Sequence, residues 1–294
     1  MTDIHLKAST LTEALPWIKR TWGRTIVIKY GGSAMTDPVL RAHVASDIVL
    51  MKLVGINPVI VHGGGPDITA YMDLLGMPVE FQGGLRVTSD AAMEIVKMVL
   101  VGKVNKELVS AINMHGRLAV GISGEDANLI QANQLSSDLG RVGNVTNIDT
   151  TVVFNLIEDG FIPVIATVAT GEDGGSFNVN ADVVAGRLAA DLGADKVIFL
   201  TDVDGLYADS EDKETLIRKL SIEQAEAMIS GRKIGGGMIP KVSACVSALQ
   251  AGVKRAHILN GTVPHALLLE VYTEEGVGTM ITPVEEPWLK EEVI

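Results

Sequence analysis

Apolar residues in the first part of the chain alternate between helical spacing and short β-branched runs. Leu11, Leu15, Ile18 and Trp22 share one helical stripe and Thr10 with Glu13 offers a capping box, so residues 10–22 are predicted as a helix bent at Pro16. Thr25 to Lys29 is a β-branched run and the first predicted strand. Asp37 as cap and Pro38 in the first turn then open a helix that ends near Gly55. Asn57 to Val61 repeats the strand pattern, and Pro66 opens another helix directly after three glycines. Downstream, the pattern predicts helices over 91–115, 151–158, 181–192, 221–230, 238–251 and 263–271. It predicts strands over 118–122, 162–167, 196–200, 257–259 and 279–282. Residues 131–147 are polar and aperiodic and read as a hairpin or surface loop. This alternation predicts an α/β fold with helices covering a parallel sheet, in two halves of residues 1–194 and 195–294.

Composition sharpens that picture. The 294 residues are 47% hydrophobic but only 4% aromatic, with 31 glycines, which suits Val/Ile/Leu strands buried between helices. A net charge of −12 excludes a general affinity for nucleic acid or anionic membranes, so any bound anion must be held by local charges. The single cysteine, Cys245, lies in an Ala/Val-rich helical run and reads as a small core residue. No apolar stretch approaches the length of a membrane span and no signal-like segment opens the chain, so a cytoplasmic protein is expected.

The chemistry concentrates in three glycine clusters between predicted strands and helices, each near a lysine. They are Lys29-Tyr30-Gly31-Gly32, His62-Gly63-Gly64-Gly65 and Gly235-Gly236-Gly237-Met238-Ile239-Pro240-Lys241. Gly31 and Gly32 let the backbone approach a phosphate at the carboxyl edge of a strand, and Gly64 and Gly65 supply the other half of a cradle. Lys241 falls in the first turn of a helix, where its charge opposes the macrodipole by about 0.3–1 kcal/mol unless an anion is bound there. Asn178, Asn180 and Asp182 alternate with apolar residues ahead of a helix; they fit one wall of a cleft, and Asn180 equally fits a helix cap. Arg86, behind Gly83 and Gly84, has the side chain best shaped to grip a carboxylate, or is a rim arginine. His62 fits a catalytic base or a histidine bonded to backbone beside a tight turn, the second being commoner. The P-loop, protein-kinase and dinucleotide motifs are absent, as are clustered metal ligands, so phosphoryl transfer is the leading reading, with any Mg²⁺ arriving on ATP.

Taken in order along almost the whole chain, these motifs, with Gly84-Leu85-Arg86-Val87-Thr88 and Thr201-Asp202-Val203, resemble the amino-acid kinase family, and in combination its members that phosphorylate N-acetyl-L-glutamate. The resemblance implies a three-layer αβα sandwich around a mainly parallel open sheet. Its N-terminal lobe would hold N-acetyl-L-glutamate and its C-terminal lobe MgATP. It further implies that Lys29 and Lys241 stabilise the transferring phosphoryl, that Asp182 orients both, and that Gly32 and Gly64 amides hold phosphate oxygens. Arg86 and Asn178, with Gly64 and Gly65, would bind the acyl amino acid, and Thr201 and Asp202 would lie beside the nucleotide. The segment before Lys29 and the stretch from His257 to Thr279 resemble an arginine-sensitive hexameric branch, a trimer of dimers. That likeness implies effector contacts at Trp17, His257, Glu270 and Gly276, with Trp17 standing where many such relatives carry tyrosine. A kinase for another acidic amino acid or carbamate, or a non-catalytic sensor, are the competing readings.

Overall fold

The structure, a computed structural model, describes residues 3–284 apart from 33, 34, 36, 210, 211, 232, 233, 236 and 275. The chain opens with helices α1 (Asp3–Glu13) and α2 (Leu15–Thr21), then β1 (Thr25–Tyr30), α3 (Pro38–Leu53), β2 (Asn57–His62), α4 (Gly65–Leu74) and the small hairpin β3 (Phe81–Gln82) and β4 (Leu85–Arg86). Next come α5 (Asp90–Lys97), a π-helical segment (Met98–Val104) and α6 (Asn105–Asn113), running on without a break. β5 (Ala119–Ser123), β6 (Ile130–Gln134), β7 (Val142–Ile148), α7 (Thr151–Glu158), β8 (Ile162–Ala166), β9 (Val168–Thr170), β10 (Ser176–Val179) and α8 (Ala181–Asp191) complete the first half. The second half runs β11 (Lys196–Thr201), β12 (Leu206–Tyr207), β13 (Leu216–Ile217), β14 (Lys219–Ser221), α9 (Ile222–Ser230), α10 (Ile239–Gln250), β15 (Arg255–Asn260), α11 (Ala266–Tyr272) and β16 (Thr279–Thr282).

Eight strands form one sheet in the order β14-β16-β15-β11-β1-β2-β8-β5, parallel except at β15–β16. Alternation along each strand builds two helical layers. Val27, Val59, Val197 and Phe199 point into a core with Val184 and Leu188 of α8 and Val242 and Leu249 of α10. Their neighbours Ile26, Ile28, Ile60 and Ile198 point the other way, against Ile48 of α3, Ile112 of α6 and Leu267 of α11. Strands buried on both faces have no polar side to show, which is why they read as unbroken apolar runs. This is the expected αβα sandwich. Cys245 is fully buried in the first of these cores, as expected.

Several expectations need correction. The first helix is two: the break lies at Ala14, Pro16 sits in the first turn of α2, and Thr10 lies inside α1 rather than capping it. The helix expected over 91–115 carries a π-helical segment at its centre. The helix expected from 263 starts at Ala266, because His265 takes a left-handed conformation (φ 60°) at its cap. Residues 131–147 do form a hairpin, β6–β7, which closes with β9 and β10 into a small four-stranded barrel that the sequence pattern did not indicate.

Gly121 in β5 lies directly under Asn105 of α6: a Cβ there would overlap Asn105 Oδ1 and stand 2.8 Å from Val109 Cγ2. Gly121→Ala is therefore expected to destabilise the fold by about 1–3 kcal/mol, the usual cost of overpacking. Urea unfolding measures this, and an unchanged midpoint would refute the tight contact.

Candidate active site

β1 delivers Lys29 to the carboxyl edge of the sheet, and α8 and α10 each start at that edge. The two helices pack closely where Gly186 faces them: a Cβ on Gly186 would lie 3.2 Å from Ala244 O and 3.4 Å from Ala248 Cβ. Their N-termini thus converge. Asn180 caps α8, its Oδ1 accepting from Asp182 N at 2.8 Å and Val183 N at 3.2 Å, so the sequence reading of Asn180 as an N-cap holds. Asp182 stands between the lysines, with Lys29 Nζ 3.0 Å from Oδ1 and Lys241 Nζ 3.4 Å from Oδ2. The Lys29 contact is an ion pair off the line of a hydrogen bond, which leaves Oδ1 without a hydrogen-bond partner among the described residues.

Burial opposes ionisation of Asp182, but the Lys29 and Lys241 charges outweigh it and hold the carboxyl below its usual range. Two ammonium groups and one carboxylate leave one net positive charge at the helix starts. That is a site for an anion. Among the described residues no group of His, Cys, Asp or Glu has a geometry fit to hold a metal ion, and the donors present suit anionic oxygen.

Some of the motif glycines lie where a side chain would collide, and others have open space. A Cβ on Gly31 would sit 2.6 Å from Lys29 Nζ, so a side chain there would push the ammonium from its place beside the chain. Gly32 adopts φ +76° with the Asp202 backbone nearby, joining the ends of β1 and β11. Gly64, at the N-terminus of α4, faces the π-helical segment closely: a Cβ would meet Leu100 Cδ2 at 2.7 Å and Val104 Cγ2 at 3.2 Å. Gly65 follows as the first residue of α4. Of the third cluster, Gly235 and Gly237 lie in open surroundings ahead of α10, and Gly236 falls outside the described residues.

His62 is fully buried and serves the backbone. Its Nδ1–H donates to Gly63 O at 2.9 Å and its Nε2 accepts from Asn105 Nδ2 at 3.1 Å. The same Asn105 amide donates to Val164 O at 2.9 Å, tying α6 to the neighbouring strand β8. Burial pushes the His62 pKa down to about 4, so the ring is neutral at physiological pH. Asn105 was not singled out from sequence; a polar residue inside a buried helical stripe was the available signal.

Gly63 to Gly65, Phe81, Arg86, Leu100, Val142, Thr167 and residues 178–181 enclose a cavity of about 190 Å³. The Arg86 side chain is buried, not a rim residue. Its Nη2 donates to Thr69 Oγ1 at 2.6 Å and Gly65 O at 3.0 Å, and its guanidinium lies 4.7 Å from the centre of the Phe81 ring. Asn178 Nδ2 donates to Thr88 Oγ1 at 3.3 Å, and Thr88 Oγ1 donates to Arg86 O at 2.8 Å, which links the two residues singled out as carboxylate binders. A larger cavity of about 600 Å³ lies beyond this wall, lined by Asp90, Arg141, Asp173 and Phe177 among others; neither cavity is lined by Lys29 or Lys241, and the smaller one reaches Ala181, next to Asp182.

At the end of β11, Thr201 Oγ1 donates to Val203 O and accepts from Val203 N, both at 3.0 Å, while Asp202 is exposed beside Gly32. His257 and Glu270 form a separate buried pair: Nδ1 and Oε1 are 2.7 Å apart, and Glu270 Oε2 accepts from Val277 N at 2.8 Å and Gly278 N at 3.1 Å. Gly276, at φ +60°, is held tight by this arrangement, a Cβ standing 2.7 Å from Glu270 Oε2. Burial opposes the Glu270 charge, but His257 and the two amides bring its pKa down to about 2. His257 Nε2 is buried with no partner among the described residues. Trp17, on α2, carries the Arg20 guanidinium 5.3 Å from its ring centre, and α2 packs on α11, the helix that bears Glu270.

The model of the amino acid kinase family matches residues 24–260. The chain is 55% identical to the acetylglutamate kinase of Petrotoga mobilis over 282 residues, covering 95% of this chain and 94% of that one. It is 51% identical to the acetylglutamate kinase of Halothermothrix orenii, covering 96% and 99% of the two chains. Among solved structures, the N-acetylglutamate synthase of Neisseria gonorrhoeae, complexed with coenzyme A and N-acetyl-glutamate, superposes with a TM-score of 0.84 at 25% identity. That match covers 96% of this chain and 64% of the synthase. Carbamate kinase from Giardia lamblia, 18% identical with a TM-score of 0.62, shares the fold.

The depressed pKa of His62 gives a signed expectation. Its folded value of about 4 lies below the ordinary 6.5, so the stability of its neutral buried form is complete above about pH 6.5 and is lost as pH falls toward 4. His62→Asn, which keeps a donor near Gly63 O without a titrating ring, is expected to flatten the acid loss between those values. Urea midpoints across the pH range read this; parallel profiles for the two proteins would contradict it.

Proposed function

Because this chain belongs to the amino acid kinase family, we propose that its cleft transfers the γ-phosphoryl of ATP to the γ-carboxylate of N-acetyl-L-glutamate, the acetylglutamate kinase step of arginine biosynthesis. The observation that carries this reading is the Lys29–Asp182–Lys241 arrangement beside the cavity that Arg86 lines. The attacking carboxylate is already ionised at neutral pH, so no general base is required, which agrees with a neutral His62 held by backbone. A carboxylate oxygen attacks the γ-phosphorus, the bond to the β,γ-bridging oxygen breaks, and ADP leaves with the electron pair.

The difficulty is repulsion between anions, about 4 kcal/mol per pair of unit charges at 4 Å with an effective dielectric near 20. Lys29 and Lys241 offset it as charge shifts between the oxygens, and Asp182 keeps both lysines aimed. Backbone amides at Gly31, Gly32, Gly64 and Gly65 receive phosphoryl oxygens. Arg86 grips the carboxylate that does not react, with Asn178 beside it. The first half of the chain thus holds the acyl amino acid, and the second half holds the nucleotide near Thr201 and Asp202. Mg²⁺ enters bound to the nucleotide phosphates.

His257, Glu270 and Gly276, with Trp17 on α2, the helix that packs against α11, form the proposed arginine effector site. Glu270 is anionic at neutral pH, while burial, against the pull of Glu270, lowers the His257 pKa and leaves Nε2 as an acceptor. An anion and a bare acceptor suit a guanidinium. The exposed apolar residues Leu11, Leu15 and Trp22 on and beside α1 and α2 support self-association through this extension, and the assembly we propose is a homohexamer built as a trimer of dimers.

Hydroxamate trapping of the acyl phosphate across N-acetylglutamate, glutamate, aspartate and carbamate is expected to favour N-acetylglutamate, and preference for another acceptor would replace this reading. Lys241→Met is expected to lower kcat by roughly 10²–10³-fold, the usual loss of one transition-state donor, with less change in KM. Arginine is expected to inhibit, with a hexamer seen by light scattering. Absence of inhibition at millimolar arginine would leave the His257–Glu270 pair a structural element.

A further inference from the structure

The β6–β7 hairpin has no part in the chemistry so far, yet Arg141, just ahead of β7, is bonded to two segments next to the acyl-amino-acid cavity, the one that follows Arg86 and the strand that carries Asn178. On the backbone, Arg141 N donates to Thr88 O at 2.6 Å and Arg141 O accepts from Asn178 N at 2.9 Å. The preceding Gly140, at φ +66°, bridges to Thr88, and the following Val142 pairs with Asn178 and lines the cavity. The main chain of residues 140–142 is therefore the spacer between the strand carrying Asn178 and the segment that follows Arg86.

The side chain fastens the same segments from outside. Its guanidinium lies 5.6 Å from the centre of the Phe177 ring, the residue just before Asn178. Nε is 2.6 Å from Asp90 Oδ1, in the first turn of α5, and Nη1 is 3.1 Å from Asp173 Oδ2, in the turn between β9 and β10. Asp173 Oδ1 in turn accepts from Gly175 N at 2.9 Å, so the fork holds that turn in shape. One planar cation thus spans two carboxylates and a ring, a task for which a lysine has neither the geometry nor the reach. Both carboxylates are exposed, so the pairs add little to global stability. Their effect falls on local spacing.

We propose that Arg141 is a positioning residue for acyl-substrate recognition: by clasping residues 88–90, 140–142 and 173–178 it fixes the separation of Arg86 and Asn178 across the cavity. This rests on that cavity being the N-acetylglutamate site. Arg141 lines the larger cavity behind the wall and touches neither lysine, so it acts on binding rather than on phosphoryl transfer.

Arg141→Met keeps an apolar stem on Phe177 and removes the fork. Steady-state kinetics are expected to show the KM for N-acetylglutamate raised about five- to tenfold, with kcat and the KM for ATP within about twofold of wild type, the signature of lost ground-state and transition-state binding alike. Arg141→Lys should fall between. Because the ion pairs are exposed, about 0.5 M salt should raise the acyl-substrate KM of wild type toward that of the Met variant and move the variant far less. Asp90→Asn, at a highly exposed position, reads the same effect if the Met variant folds poorly. An unmoved acyl-substrate KM in Arg141→Met and Asp90→Asn, or equal shifts in kcat and the ATP KM, would overturn the assignment. A wild-type protein inactive on N-acetylglutamate would instead remove the reading of the cavity itself.

Discussion

Everything at the cleft depends on one buried carboxylate placed between two ammonium groups. Asp182 is ionised because Lys29 and Lys241 are there, and the lysines converge because Asp182 draws them from different elements, the end of β1 and the start of α10. Neither lysine would be drawn toward the other without it. The close packing of α8 against α10 around Gly186 is what allows the pair of helix starts to share one point. With a net excess of one positive charge, the point is incomplete until an anion arrives.

A second constraint keeps the glycine loop in register with that point. Gly64 is pressed against Leu100 and Val104 of the π-helical segment, and His62 is held by Asn105 just beyond it. A π-segment shifts the residues after it around the helix axis relative to an unbroken α-helix, and here the residue that follows directly is the one whose amide reaches His62 and β8. The histidine of the motif is thereby a neutral scaffold, consistent with chemistry that moves a phosphoryl group without taking up a proton.

Sequence pattern made seven of the eight sheet strands readable because they are mainly apolar runs buried between the helical layers, whereas β14, three residues opening on the exposed Lys219, was not readable. The glycine clusters were readable because strand ends and helix starts are local features. Lys241 stood out since its charge opposes the helix field, and Asn180 since capping is decided within three residues. The small barrel was not readable. β9 and β10 are three and four residues long, and their pairing is set by partners far along the chain. The supports of Arg86 escaped for the same reason: Thr69 and Thr88 are ordinary residues until the fold brings their hydroxyls to it. The break at Ala14 and the π-segment in the long helix escaped too, because apolar residues at roughly helical spacing continue on both sides of each.

The junction of the two halves of the sheet has a mechanical consequence. β1 and β11 are zipped side by side over Ile26↔Lys196 through Lys29↔Phe199, so no unpaired hinge separates the Lys29 side of the sheet from the Thr201 side. Cleft width is then a function of strand twist, which accumulates gradually and resists large excursions. A molecule lodged near β15, two strands from β1, would reach the grip of Lys29 on its carboxylate through this shared coil of the sheet, and Lys241 through α10, which packs on β15. Along the sheet, such a molecule would signal by small rotations distributed over several hydrogen-bonded neighbours.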